Sequence, residues 1–342
     1  MDSPKVIGFE RTHRQIGDCV IAIKALYALK MLYPQARLVI FTDLKGGGRL
    51  YKSLSFLEKG DKIVDCNTQE NRENFKIALE ENKVDVLLLL HRTSWKIKVA
   101  KECKIKRVIT EPHMHTIFHP AFKSPFMMIS YFVHGSEKIL RLVRQIDTKH
   151  YDKNIKTLDF TKATFKIPQE NKARIHEFLE ANNAQNFKKI IGINIFGTSN
   201  STNFSFALKD WIELINKLST TFKDTLFIIL TYSGNATKLE PFSAKNIVIF
   251  ENNDDLLNLV ELTSRLDFFL SINTGNIHIA DNLRIPSLVL NQQRERLNCC
   301  GGSYGGEFSM VCLPKKWKQD YQKYYDAYTQ KALEKIAEVA NV

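Results

Sequence analysis

With 342 residues, 44% hydrophobic and 25% charged, the chain can bury two cores of ordinary domain size and is not a disordered polymer. No apolar run reaches the roughly 18 residues a membrane span needs, and the N-terminal residues lack the basic-then-apolar plan of a secretion signal, so a cytoplasmic protein is expected. A formal net charge of +12 calls for an anionic ligand or surface; with no zinc-finger spacing and no aromatic-and-basic motif, nucleic acid is not the expected partner.

Residues 5–10 read as a short strand, and 18–32 as a helix that stops before Pro34. A second strand at 37–42 runs into the turn Gly46-Gly47-Gly48, with a helix near 51–57 and a weak strand at 62–65 beyond it. Residues 70–82 read as a helix, 84–90 as the clearest buried strand, 95–103 as a helix and 106–109 as a strand. Strands that are apolar throughout and separated by helices imply a parallel sheet covered on both faces. Residues 111–133 break that rhythm with Pro, His, aromatic and Met residues around Lys123. Such a segment is either a loop packed on its own domain or one placed at a lipid–water boundary. A basic helix at 134–145 and a polar linker at 147–168 follow.

The rhythm then restarts with a helix at 169–182, a strand at 189–195, a helix at 208–222 and strands at 225–230 and 246–250. A helix at 254–264, a strand at 266–270, a strand-turn-helix over 271–283 and a strand at 285–290 complete it, and an amphipathic helix spans 317–342. The expected fold is α/β, with two Rossmann-like, doubly wound parallel-sheet domains facing a cleft. The expected domains are 1–160 and 161–316, with 317–342 packing back on the first.

In open α/β sheets ligands bind beyond the carboxyl ends of the strands, which directs attention to three loops. The first, Arg11-Thr12-His13-Arg14-Gln15-Ile16-Gly17-Asp18, places Asp18 at or beside a helix N-cap. There it either caps the helix or serves as a carboxylate that takes a proton from a hydroxyl. The second, after the strand at 189–195, contains Gly197, Thr198 and Ser199, small and hydroxylated residues suited to phosphate or ribose. The third, Asn273-Thr274-Gly275-Asn276, turns a strand directly into a helix, so free backbone N–H groups and the positive end of the helix dipole form an anion seat. His278 lies one turn in, either as a packed residue or as a ligand contact. Arg14, Arg92 and Lys123 are candidate anion contacts for an acceptor. No H-E-x-x-H, C-x-x-C or EF-hand pattern is present, so no protein-held metal is expected, and the six cysteines read as buried reduced thiols. A Walker loop is absent, and no G-x-G-x-x-G follows the first strand.

Three landmarks occur in order: Arg14-Gln-Ile-Gly17-Asp18 with Tyr33-Pro34 one helix later, His134-x-x-Glu137-Lys138 opening a basic helix, and Asn273-Thr274-Gly275-Asn276-Ile277-His278-Ile279-Ala280. Together they resemble the lipopolysaccharide heptosyltransferases of glycosyltransferase family 9. The resemblance implies a GT-B fold, with the acceptor bound mainly by the first domain and the nucleotide sugar mainly by the second. It implies inverting transfer of heptose from ADP-heptose to a lipopolysaccharide core or lipid A acceptor, with no essential metal or other cofactor. By the same resemblance Asp18 is the general base, and Thr274, Gly275 and His278 hold the donor diphosphate. A monomer in peripheral contact with the anionic cytoplasmic face of the inner membrane is the expected setting. Two departures leave the donor open: the family usually carries Asp where this chain has Asn273, and a Lys near Asn203-Phe204-Ser205, where none stands here. The alternatives are a same-fold transferase using another nucleotide sugar, or a catalytically impaired carbohydrate- or nucleotide-binding homologue.

Overall fold

The computed structural model describes residues 4–12, 14–66, 72–91, 93–114, 116, 118–125, 133–197, 204–295 and 301–341. The chain divides into two compact units, Met1–Lys166 and Ile167–Val342.

In the first unit the strands are β1 (Val6–Arg11), β2 (Arg37–Thr42), β3 (Lys62–Asp65), β4 (Val86–Leu89), β5 (Arg107–Thr110) and β6 (Phe122–Lys123). They pair in parallel in the order β3-β2-β1-β4-β5-β6. The helices are α1 (Ile16–Leu32), α2 (Arg72–Glu81), α3 (Ser94–Glu102), α4 (Gly135–Arg144) and α5 (Thr148–Asn154). β4 is buried along its whole length because helices cover both faces of the sheet, which is why it reads as an unbroken apolar run. α1 is buried on nearly every side and stops at Tyr33, since Pro34 disfavours helical backbone in the residue before it. One core packs Phe41, Phe75, Leu87, Leu89, Ile97 and Val108.

Two expectations change here. The polar stretch 147–168 is not an open linker. Asp147 caps α5 by accepting from the His150 N–H at 3.0 Å, Tyr151, Ala163 and Phe165 are buried, and Phe165 bridges to Leu54. Its polarity is that of an outer face with few but well-spaced apolar anchors. The helix expected near 51–57 is a 3-10 helix over Gly47–Ser53, starting inside the glycine turn.

The second unit repeats the plan. Its strands are β7 (Lys189–Asn194), β8 (Thr225–Tyr232), β9 (Ile247–Asn252), β10 (Phe268–Ile272), β11 (Ser287–Gln292) and β12 (Phe308–Leu313). All pair in parallel, in the order β12-β11-β10-β7-β8-β9. Counted from each unit's own first strand, the two orders are the same, with no sequence repeat to announce it. The helices are α6 (Gln169–Ala181), α7 (Leu208–Thr221), α8 (Leu256–Ser264), α9 (Gly275–Asn282) and α10 (Tyr321–Ala340). β6 and β12 were not expected: β6 is two residues long, and β12 is a half-buried edge strand with no sustained apolar run.

The buried residues of α10, Tyr325, Tyr328, Thr329, Ala332 and Ile336, recur at helical spacing and face one side. That side joins the second unit's own core with Trp211, Trp317 and Phe206. The expected packing of 317–342 on the first domain needs amending in that respect, because the apolar stripe is buried against the second sheet. Edge-to-face contacts of Phe206 with Tyr321, Tyr325 and Tyr328 explain the choice, since aromatic rings gain both area and favourable ring geometry there.

Candidate functional site

In an open parallel sheet the crevice that takes ligands lies where the strand order reverses. In the first unit that point falls between β1 and β4, in the second between β7 and β10.

At the first, the chain leaves β1 at Arg11 and enters α1 at Ile16. Gln15 holds the N-cap position, so Asp18 is not the cap but the third helical residue, where a carboxylate still meets the positive end of the dipole. Arg11 grips it twice: Nη2 lies 2.7 Å from Asp18 Oδ1, and Nε donates to the Asp18 carbonyl at 3.1 Å. The Asp18 side chain remains 27% exposed against 12% for Arg11, so the paired carboxylate keeps some contact with solvent. The glycine turn buttresses this loop. Gly47 N–H donates to the Arg14 carbonyl at 2.9 Å, and a Cβ on Gly46 would stand 2.5 Å from that same oxygen. Backbone meets backbone here, which is what the glycines permit.

The three expected acceptor cations fare differently. Arg14 is half-exposed, but its Nε is tied to the buried carboxylate of Asp43 at 2.7 Å, so its charge already has a protein partner. Lys123 lies exposed on the edge strand β6, three strands from β1, or about 14 Å at ordinary strand spacing. The structure therefore does not gather it at the first switch point. Arg92 lies outside the described residues.

Sequence reasoning missed a buried cluster joining β1 and α3. Lys96 is 1% exposed and lies 2.6 Å from Glu10 Oε1, itself on a strand and 0% exposed. Burial would push the Glu10 carboxyl up, but the Lys96 ammonium and hydrogen bonds from Lys96, Thr12 and the His91 N–H outweigh it and hold the carboxyl below its usual range. A glutamate directly after the apolar run Val6–Phe9 in a strand is the signal that could have found this cluster. Burial also pushes the thiols of Cys19 and Cys66 up to about 12, which keeps them protonated and unreactive.

At the second switch point β10 ends at Ile272 and α9 begins at Gly275, with Thr274 as N-cap. Thr274 makes no side-chain cap bond to the helix. Its Oγ1 instead accepts from Asn194 Nδ2, at the end of β7, at 2.8 Å, so the hydroxyl hydrogen is left to donate. The Thr274 side chain thus does not cap the first turn of α9, where Ile277 N–H donates to the Thr274 carbonyl at 3.3 Å. Asn273, Thr274, Gly275 and Asn276 are half-buried, whereas His278 is 6% exposed and sits inside. Gly197 is half-buried three residues past β7; Thr198 and Ser199 lie outside the described residues. Asn291, at the end of β11, was not singled out; it is fully buried, and its Nδ2 has no hydrogen-bond partner among the described residues.

No protein-family model matches the chain, and no curated protein matches it in sequence. Solved structures do match. A family 9 glycosyl transferase from Veillonella parvula aligns over 99% of this chain and 98% of its own, with a TM-score of 0.72 and 12% identity. The ADP-heptose lipopolysaccharide heptosyltransferase II of E. coli aligns over 96% and 99%, with a TM-score of 0.64 and 12% identity. The E. coli heptosyltransferase WaaC, solved with ADP, aligns over 98% and 100%, with a TM-score of 0.64 and 13% identity. The chain has the GT-B fold. It shares that fold, along nearly its whole length, with family 9 glycosyltransferases and the heptosyltransferases among them.

Proposed function

We propose that the chain is an inverting glycosyltransferase whose first unit binds the acceptor and whose second binds a nucleotide sugar. The observation that supports this is the pair of switch points in a fold shared with heptosyltransferases, with Asp18 just past the first and the Thr274–Asn276 turn at the second. The Asp18 carboxylate takes the proton of an acceptor hydroxyl, whose oxygen attacks the anomeric carbon in one displacement and inverts it. Charge then grows on the departing nucleoside diphosphate. In this reading the α9 N–H groups at Gly275 and Asn276 and the Thr274 hydroxyl meet it, which lowers the barrier by binding the transition state more tightly than the substrate; the Thr274 hydroxyl hydrogen left to donate supports that role.

The preferred donor is ADP-heptose and the preferred acceptor a lipopolysaccharide core or lipid A intermediate, by likeness to the E. coli enzymes. The protein then works as a monomer in the cytoplasm, against the anionic inner face of the inner membrane. No described helix is long and apolar enough to cross a membrane. The net charge of +12 and the exposed Phe118 and Met114 in the loop after β5 support a surface contact instead. Asn273, where the family carries a carboxylate, favours a second reading, in which the same reaction uses another nucleotide sugar.

Asp18→Asn tests the reaction. Turnover should fall by about 10²–10⁴-fold with nucleotide affinity unchanged, and near-normal turnover would remove Asp18 as the base. Calorimetry with ADP, UDP and GDP tests the donor; tighter UDP or GDP binding would displace ADP-heptose.

A further inference from the structure

A chain of hydrogen bonds at the second switch point has only one possible direction. Asn194, the last residue of β7, pairs in register with Ser271 of β10, and the two are 3% and 0% exposed. Ile191, Ile193, Leu270 and Ile272 enter the core shared with α10, so alternation sets Asn194 and Ser271 side by side on the opposite face of the sheet. Ser271 has one hydroxyl hydrogen, and it goes to the Ile272 carbonyl at 2.6 Å. Toward Asn194 Nδ2, 3.4 Å away, the Ser271 oxygen can therefore only accept. That requirement turns the nitrogen of the amide to this side, and its other hydrogen goes to Thr274 Oγ1 at 2.8 Å. The Thr274 oxygen is thus the acceptor in this pair, and no described residue accepts its own hydrogen.

The same bond keeps Thr274 from an ordinary task. A threonine at a helix N-cap usually turns its oxygen to the N–H of the second or third helical residue, here Asn276 or Ile277. Thr274 is the N-cap of α9 yet makes no such bond. We propose that Asn194 is a positioning residue: it draws the Thr274 hydroxyl off the start of α9 and sets it as a hydrogen-bond donor toward the diphosphate of the nucleotide sugar. An oxygen that already accepts an N–H holds its own hydrogen more positive, which suits an anionic oxygen. The choice of diphosphate as ligand rests on the transfer reading; the polarity of the hydroxyl does not.

Two measurements on the full chain test these halves separately. Asn194→Leu removes both amide hydrogens at similar size, with Asn194→Ala in its place should the branched side chain not fit. Calorimetry with ADP, UDP and GDP should show affinity for the tightest of them falling about 3–10-fold. The fall should vanish when the same change is made in Thr274→Val, since Asn194 acts only through that hydroxyl. An equal loss in both backgrounds, or no loss in either, overturns the positioning role. Amide hydrogen exchange without nucleotide reads the polarity. In Asn194→Leu the freed Thr274 oxygen caps α9, so exchange at Asn276 or Ile277 should slow, and in Asn194→Leu/Thr274→Val it should not. Exchange that stays the same or quickens at both residues in Asn194→Leu overturns the diversion of the cap. A wild type that binds none of the three nucleotides removes the diphosphate as ligand, while the exchange result still stands for or against Asn194.

Discussion

Asp18 and Glu10 are both carboxylates beside β1, and their surroundings set them to different tasks. Asp18 is held by Arg11 and stays partly exposed; Glu10 is sealed, with Lys96 spent on its neighbours. Lys96→Ala should destabilise the protein by about 3–5 kcal/mol, because it leaves a buried carboxylate without its counter-ion; chemical denaturation measures this. The pH dependence has a definite sign. The Glu10 carboxyl is held below 4.5 in the folded chain, so its contribution is complete above that pH and fades as the pH falls through the lower, folded value. Wild type should therefore lose stability below about pH 4.5 more steeply than Glu10→Gln/Lys96→Met, and melting curves at stepped pH read the difference. Asp18 was legible in the sequence because its loop directly follows a strand. The Glu10–Lys96 pair was not, because the partners are far apart in sequence and Lys96 looks like any solvated lysine on a short helix.

At the scale of elements, the glycine turn and the start of α9 shape the two candidate loops. Gly46→Ala would drive a Cβ to 2.5 Å from the Arg14 carbonyl oxygen, so the loop ahead of α1 has to move. A cost of about 1–3 kcal/mol is expected, together with a loss of transfer activity larger than the loss of folded protein. Equal losses would mean that the turn supports the fold but not the placement of Asp18. Thr274→Val removes one hydroxyl at nearly constant volume. A hydrogen bond to a charged group contributes about 1.5–3 kcal/mol, so nucleotide affinity by calorimetry should fall roughly 10–100-fold, alongside a stability loss of about 1–3 kcal/mol because the buried Asn194 Nδ2 loses its acceptor. The strand-turn-helix at 271–283 could be read because Asn-Thr-Gly interrupts an apolar strand and helical spacing resumes at once. The brace between Asn194 and Thr274 could not: it joins residues 80 positions apart that meet only because β7 and β10 pair.

At the scale of the whole molecule, each unit carries its own core, and α10 belongs to the second. Trp317→Ala, which empties a site 2% exposed, should cost about 3–5 kcal/mol. Hydrogen exchange should show that loss in the second unit's strands and leave β1 and β4 protected. Vesicles with phosphatidylglycerol should bind the protein in a salt-sensitive way, more weakly in Phe118→Ser; binding that ignores both salt and Phe118 would remove the surface role given to that loop.

Composition, strand–helix alternation and the loops at strand ends settled by themselves that the chain is α/β, that its sheets are parallel, and that Asp18 and Thr274 stand just past the carboxyl ends of strands. These signals are local: apolar period, turn residues and helix starts depend on neighbours a few positions apart. Only the tertiary structure decided which sheet receives α10, that Arg14 is tied to Asp43 and Asp18 to Arg11, and that Lys96 is buried against Glu10. Each of those depends on strand order and on burial between distant segments, and the free energy of a charge or an aromatic ring changes more with burial than with anything its sequence neighbours specify.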